Sequence, residues 1–343
     1  MILLPQFMFE SLFRPPTATV AINMRTTSKP WGGSNTFVAQ LHAFLVARGW
    51  RVIYRLTAEV DVILIIDPRD DLQLKAFGMP EIIAHKARHP QVRVIHRINE
   101  CDQRKATTFM DPLLAQANAH ADFTIFIAEW LKEYHSARWF DASRPHAVVY
   151  NGADPATFHP IGQQRWKPGE PLRVVTHHWS NNPLKGFDVY EEVDRLLVAN
   201  KLPGFEFHVI GRWPENIRWQ KARTFPPSAG RALAAQLRDC HLYLTATRWE
   251  PCGMHHVEGA QCGLPLVYHE DGGGVVEAGK RYGIGFRENV AEALMAARDR
   301  YSELRAQVLA RIPSGDRMAL EYTEILQSLL ADREASPRTT AAH

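Results

Sequence analysis

Two carboxylates with seven residues between them, Glu250 and Glu258, dominate the stretch Thr245–Glu277, TATRWEPCGMHHVEGAQCGLPLVYHEDGGGVVE. Glu250 falls in a loop after an apolar strand, and Pro251 suits the start of a following helix. Gly253 and Met254 would then present backbone N–H groups at that helix's N-terminus, where no intrahelical acceptor exists and where the helix dipole favours an anion. At ~1.5 Å per residue, Glu258 comes roughly 8 Å further along the axis. A phosphate seated at the terminus would have one carboxylate on either side. That pattern suits a sugar joined to a nucleoside through a diphosphate, because ionised carboxylates accept hydrogen bonds from sugar and ribose hydroxyls.

A cation for that phosphate is available in Val175–Asp188, VTHHWSNNPLKGFD, where a strand ends in a polar loop and Lys185-Gly186 opens a helix. A lysine has the wrong sign for a helix N-terminus unless an anion sits there. His178 and Ser180 are further hydrogen-bonding candidates in this loop. In the N-terminal half, Lys29-Pro30-Trp31-Gly32-Gly33-Ser34 joins a strand to a helix, and its glycines permit close approach of backbone to a ligand. His96, followed by Arg97 and Asn99, ends a strand in VIHRINECD.

These residues need a frame, and the apolar pattern supplies one. Short apolar runs alternate with helical periodicity, which predicts an α/β protein with parallel sheets. Strands are expected at Ala18–Asn23, Arg51–Leu56, Val60–Ile66, Gln91–His96, Asp122–Ile127 and Ala147–Tyr150. A helix capped by Ser34 is expected to run to Arg48 and stop at Gly49. After the turn Asn151-Gly152-Ala153-Asp154 the pattern restarts. Strands are expected again at Leu172–Thr176, Phe205–Ile210, His241–Thr245, Leu264–Tyr268 and Ile284–Phe286, with helices at Gly186–Val198, Gly230–Arg238, Met254–Gln261, Ala291–Ala310 and Arg317–Ala331. The division is therefore 1–152, an N-terminal Rossmann-like domain, and 153–313, a second one, with 314–331 as a C-terminal helix packing back toward the first and 332–343 as a flexible tail. Ligands of open α/β sheets bind beyond the carboxyl ends of the strands, so two such domains would face each other across a cleft.

Taken together, the Glu-x7-Glu spacing, the Gly263-Leu264-Pro265 strand entry and the triplet Gly272–Gly274 resemble the signature of the large retaining GT-B glycosyltransferase family. The resemblance spans most of the chain and is densest from Tyr150 to Glu277. It implies that Glu250 faces the donor sugar, that Glu258 binds the nucleotide ribose, and that Gly273 lies in the glycine-rich loop near the sugar. Lys185 matches the family lysine that neutralises the donor diphosphate. The family arginine is missing, with His178, Ser180 and Asn181 in its region. Gly32 and Gly33 resemble the family's Gly-Gly loop, and His96 its active-site histidine. The activity implied by the resemblance is a retaining, metal-independent sugar transfer from a nucleotide sugar to a hydroxyl acceptor, a glycan, lipid-linked glycan or small molecule. Hinge closure about residues 150–160 is implied too. An inactive nucleotide- or sugar-binding protein and a nucleotide-sugar epimerase are the alternatives.

Composition narrows the rest. The 343 residues are 45% hydrophobic and 22% charged, with a net charge of +3. This length suits two domains, and the mild charge lacks the basic stripe of a nucleic-acid binder. Cys101, Cys240, Cys252 and Cys262 form no CxxC pair, as expected of reduced thiols in the cytoplasm. Met1–Phe9 lacks the basic start and cleavage site of a signal peptide. No run is long enough to span a bilayer, which leaves peripheral contact with an anionic membrane face as the membrane option. The pairs His177-His178 and His255-His256 lack the i,i+4 spacing of a helical metal site, and no G-x-G-x-x-G, P-loop or G-x-S-x-G is present.

Overall fold

A computed structural model describes residues 17–27, 32–71 and 73–335. The loop residues Lys29–Trp31, the segment Met1–Phe9 and the extreme C-terminus lie outside the described residues. Two parallel six-stranded sheets form the frame. The first contains β1 (Thr19–Ile22), β2 (Arg51–Ile53), β3 (Val62–Ile65), β4 (Arg93–Ile98), β5 (Phe123–Phe126) and β6 (His146–Val148), in the order β2-β1-β3-β4-β5-β6. The second contains β7 (Leu172–His178), β8 (Phe205–Gly211), β9 (Arg223–Phe225), β10 (Leu242–Thr245), β11 (Leu266–His269) and β12 (Gly283–Phe286), in the order β12-β11-β10-β7-β8-β9. Strands β1, β3, β10 and β11 are buried at every position. Helices cover both faces of a parallel sheet, and this is why these strands read as unbroken apolar runs rather than alternating ones.

Both sheets are doubly wound, so each has a point where strand order reverses: between β1 and β3 in the first, and between β7 and β10 in the second. The crevices there are the natural ligand sites of such sheets. Helix α1 (Gly33–Val46) follows β1. Helices α2 (Met79–Arg88), α3 (Met110–Asn118) and α4 (Glu129–Ser136) complete the first unit. The second unit adds helices α5 (Phe187–Val198), α6 (Gly230–Arg238), α7 (Met254–Gln261), α8 (Val275–Tyr282), α9 (Val290–Asp299) and α10 (Tyr301–Leu309). The last helix, α11 (Gly315–Ala335), returns to the first unit, where Met318, Ala319, Tyr322 and Leu326 join the core of Phe37, Val38 and Leu41.

Two local expectations are corrected, and one strand is added. Ser34 does not cap α1: the N-cap is Gly32, with no side-chain bond, and the Ser34 hydroxyl instead accepts from Asn99 Nδ2 at 2.9 Å. Residues 291–310 are two helices rather than one, parted at Arg300, because Tyr301 turns into the core with Leu304. The short edge strand β9 has no counterpart among the expected strands; its residues are exposed or half-buried, so it carries no apolar signal.

The two units are tied together at several points. Glu277 of α8 accepts N–H bonds from Trp130 (2.6 Å) and Glu129 (3.2 Å), capping the start of α4 with a carboxylate, and also takes the Tyr150 hydroxyl at 2.5 Å. Asn151 donates to the Cys252 carbonyl at 2.9 Å while accepting from Arg97 Nη2 at 3.0 Å. The carboxyl ends of both sets of strands therefore face one another.

Candidate active site

The loop after β10 sets the geometry of the first carboxylate. Trp249 holds a left-handed backbone, φ 52°, which a non-glycine residue adopts only at a cost. Its N–H bonds the Asp271 carbonyl at 2.8 Å, Glu250 N–H bonds Gly272 O at 3.2 Å, and Gly274 N–H returns to Glu250 O at 2.9 Å. This short bridge needs Gly273, whose φ is +67° and whose Cβ, if present, would lie 2.9 Å from the Glu250 carbonyl oxygen. Gly273, expected beside a donor sugar, is bridged to Glu250 and fixes its backbone, and its own atoms do not line the cavity described below.

The Glu250 side chain is 3% exposed. Lys185 Nζ stands 2.5 Å from its Oε2, and Arg104 Nη2 stands 3.2 Å from its Oε1. Burial opposes the negative charge, but Arg104 and Lys185 outweigh it and hold the carboxyl at about 2. Burial pushes the Lys185 ammonium down, with Glu250 resisting. Lys185 is delivered by a single 3₁₀ turn, Pro183–Lys185, whose start is capped by Asn182 Oδ1 accepting from Leu184 N–H at 2.8 Å. Gly186 then turns the chain into α5 at φ +84°, with its Cα so close to Ala246 that a Cβ would fall 2.3 Å from that carbonyl oxygen.

Helix α7 begins with Gly253 as N-cap and no side-chain cap, so no capping side chain takes its first-turn N–H groups. Met254 meets the other unit here: a Cβ on Gly33 would sit 2.8 Å from Met254 Cγ. One and a half turns on, Glu258 Oε2 lies 2.9 Å from His177 Nε2, and His177 Nδ1 lies 3.0 Å from the Tyr243 hydroxyl. His178 Nε2 meets Tyr190 and Thr176 hydroxyls, both at 2.9 Å, and His255 Nε2 meets Thr245 Oγ1 at 3.0 Å. Burial drives His178 and His255 well below the ordinary imidazole value and brings His256 to about 4, so a layer of neutral rings lies under the helix start.

A cavity of about 380 Å³ opens over this layer. From the second unit it takes His177, His178, Ser180, Lys185, Glu250, Gly253, Met254 and Glu258, and from the first Gly32, Gly33, Ser34, Arg97, Asn99, Arg104 and Lys105. It shares Thr36, Trp179 and Glu258 with a second cavity of about 820 Å³ between α1 and the start of α6. Of the residues singled out from sequence, Gly32, Gly33, Ser180, Lys185, Glu250, Gly253, Met254 and Glu258 converge on the smaller cavity.

His96 does not, and its assignment to the site is corrected. It lies within β4 rather than at its end, is fully buried, and faces Asn118 of α3, whose Nδ2 is 3.4 Å from its Nδ1. Burial, aided by His135, lowers it to about 3. Successive strand residues point to opposite faces, so it is the next residue, Arg97, that reaches the cavity, with its guanidinium carbon 4.0 Å from the centre of the Phe37 ring. Arg104 and Lys105 were not singled out. Their signal was a lone dibasic pair in a polar loop after a strand, which sequence alone does not aim anywhere.

Two facing Rossmann-like units with a cavity at both switch points define the GT-B architecture. Among solved structures, the chain is similar to a sucrose-phosphate synthase from Thermosynechococcus elongatus, at 14% identity over 92% of this chain and 100% of that one, with a TM-score of 0.65. It is also similar to HepE of Anabaena in complex with UDP and glucose, at 13% identity over 91% of this chain and 100% of that one, TM-score 0.65. A third is WaaG, a glycosyltransferase involved in lipopolysaccharide biosynthesis, at 14% identity over 89% and 95%, TM-score 0.56. No sequence-family model and no curated protein matches the chain. Among the described residues, no helix is long and apolar enough to cross a membrane.

Proposed function

We propose that the chain is a glycosyltransferase that moves a sugar from a nucleotide diphosphate sugar to a hydroxyl acceptor. One observation carries this reading: Glu250, Lys185, Glu258 and the uncapped start of α7 share one cavity with the Gly32–Ser34 loop of the opposite unit. The donor diphosphate binds at the first turn of α7 with Lys185 beside it. Glu250 faces the sugar and Glu258 the ribose. As the glycosidic bond breaks, negative charge grows on the departing phosphate, and preorganised N–H groups and a cation bind that charge more tightly in the transition state than in the ground state. The acceptor hydroxyl attacks from the leaving-group face with retention of configuration and without a divalent metal. HepE, solved with UDP and glucose, has the same fold and supports a nucleotide-sugar donor. The protein works in the cytoplasm, at the membrane face where its acceptor is lipid-linked.

The test is donor consumption by purified protein across UDP-, GDP- and ADP-sugars with glycan and lipid acceptors. Glu250→Ala is expected to abolish transfer while the protein stays folded, and near-normal turnover of that variant would refute the assignment.

A further inference from the structure

A diphosphate linking a nucleoside to a sugar carries two negative charges, and the second unit does not supply the positive charge to meet them. Lys185 is spent on Glu250 at 2.5 Å. Arg248, the other cation that this unit brings to the cavity, forks onto Asp188 at 2.7 and 3.0 Å. The loop between β7 and Lys185 holds no arginine or lysine. Positive charge must come from across the cleft.

It comes from the loop after β4, which is built to hold one direction. Asp102 ties both of its ends: its carboxylate accepts the Thr107 hydroxyl at 2.6 Å and the N–H groups of Met110 and Asp111 at 2.9 and 3.0 Å, while its carbonyl accepts from Lys105 and Thr107. Ala106 closes the turn at φ 53°. So held, Arg104 spans the cleft, with Nη1 3.0 Å from Glu100 Oε2 and Nη2 3.2 Å from Glu250 Oε1. Lys105 Nζ is 2.9 Å from the same Glu100 oxygen. Arg104, Lys105 and Lys185 against Glu100 and Glu250 leave one positive charge in this cluster, and Arg97, with no carboxylate partner among the described residues, adds a second; Glu258, on the His177 side of the cavity, is the one carboxylate set against them.

Resting on the nucleotide-sugar reading above, we propose that Arg104 of the first unit is the donor-phosphate arginine of this protein, replacing one that the second unit lacks. Its planar fork grips two phosphate oxygens at once, which an ammonium cannot do. On donor binding it exchanges Glu250 for the phosphate, so that the bridge across the cleft then runs through the donor. Glu100 tethers the guanidinium and competes with the phosphate for it.

The experiment is calorimetric binding of UDP, GDP and ADP, and of the matching monophosphates, to the full chain and four variants. Arg104→Ala is expected to weaken the best diphosphate roughly tenfold and the monophosphate much less, with Arg104→Lys in between. Glu100→Gln, which frees both Arg104 and Lys105, is expected to tighten diphosphate binding about threefold. Should Arg104→Ala not fold, the Arg104→Lys and Glu100→Gln results decide. Unchanged diphosphate affinity in the Arg104 variants, alongside a loss in Lys185→Ala, would overturn the proposal and leave the proposed function standing. Failure of the parent chain to bind any of the three diphosphates would overturn both.

Discussion

Replacing Gly253 by alanine adds one methyl group at the start of α7. The backbone there, φ −67° and ψ 132°, is open to any residue, so the change introduces no torsional strain. What it introduces is a collision: the new Cβ would stand 2.3 Å from His255 Cε1, 2.4 Å from Nδ1 and 3.0 Å from Glu250 Cγ. Ordinary contact is more than an ångström longer than the first two. The imidazole cannot simply swing aside, because Nε2 is bound to Thr245 and the ring is packed among His177, His178, Tyr243 and His256. The first turn of α7 must therefore move, and with it the N–H groups and carboxylate assigned to the proposed transfer. Overpacking of this kind costs typically about 1–3 kcal/mol of stability. A displacement of ~1 Å in a catalytic array costs on the order of 10²-fold in rate. Gly253→Ala is thus expected to lower kcat and diphosphate affinity by roughly two orders of magnitude with a modest fall in melting temperature. Adding His255→Ala, which deletes the obstructing ring, should recover a large part of that loss. Steady-state kinetics and calorimetry on the single and double variants test this. Wild-type turnover in Gly253→Ala, or a double variant no better than the single, would refute the steric account.

Two further predictions concern the frame. Glu277→Ala removes the carboxylate that caps α4 from the opposite unit, at a cost of about 1–2 kcal/mol; the melting temperature should fall by roughly 2–4 °C and limited proteolysis of the 150–160 segment should quicken, and no change in either would show that the cap does not hold the units together. Acid should destabilise the protein early. Burial holds His96 at about 3 and His135, His241 and His256 at about 4, below the ordinary 6.5, so they are neutral in the fold while the unfolded chain takes protons first as pH falls. That stability is present above pH 6.5 and is lost as pH falls from 6.5 to about 4, and to about 3 for His96; a melting temperature flat across that window would contradict it.

Much of this was legible because it is local. The strands of both units announce themselves as apolar runs, and α7 occupies the range that its sequence predicts, Met254–Gln261. Glu250 and Glu258 lie on one loop-and-helix segment, so spacing alone places them on either side of a helix start. His96 was legible as a residue but not as a direction. The strand runs two residues further than expected, to Ile98, so His96 lies inside it with its ring in the core, and its neighbour Arg97, on the opposite face, is the one that reaches the cleft. Ser34 is a similar case: Gly32 starts the helix, and the hydroxyl finds its partner, Asn99, beyond the end of another strand.

Arg104 shows the harder limit. Its partner Glu250 belongs to the other unit, and nothing within several residues of either one refers to the other. The pairing exists only because two switch points are brought face to face, and that depends on Glu277, Asn151 and α11 as much as on the site. The same dependence constrains the chemistry. A site whose cations came from one unit could bind a diphosphate with the cleft open, and closure would then contribute little to affinity. Here Glu250 already neutralises Lys185 within the second unit, while Arg104 and Arg97 belong to the first. Charge balance for a diphosphate needs cations from both units, so the donor site proposed above exists only where the two units meet.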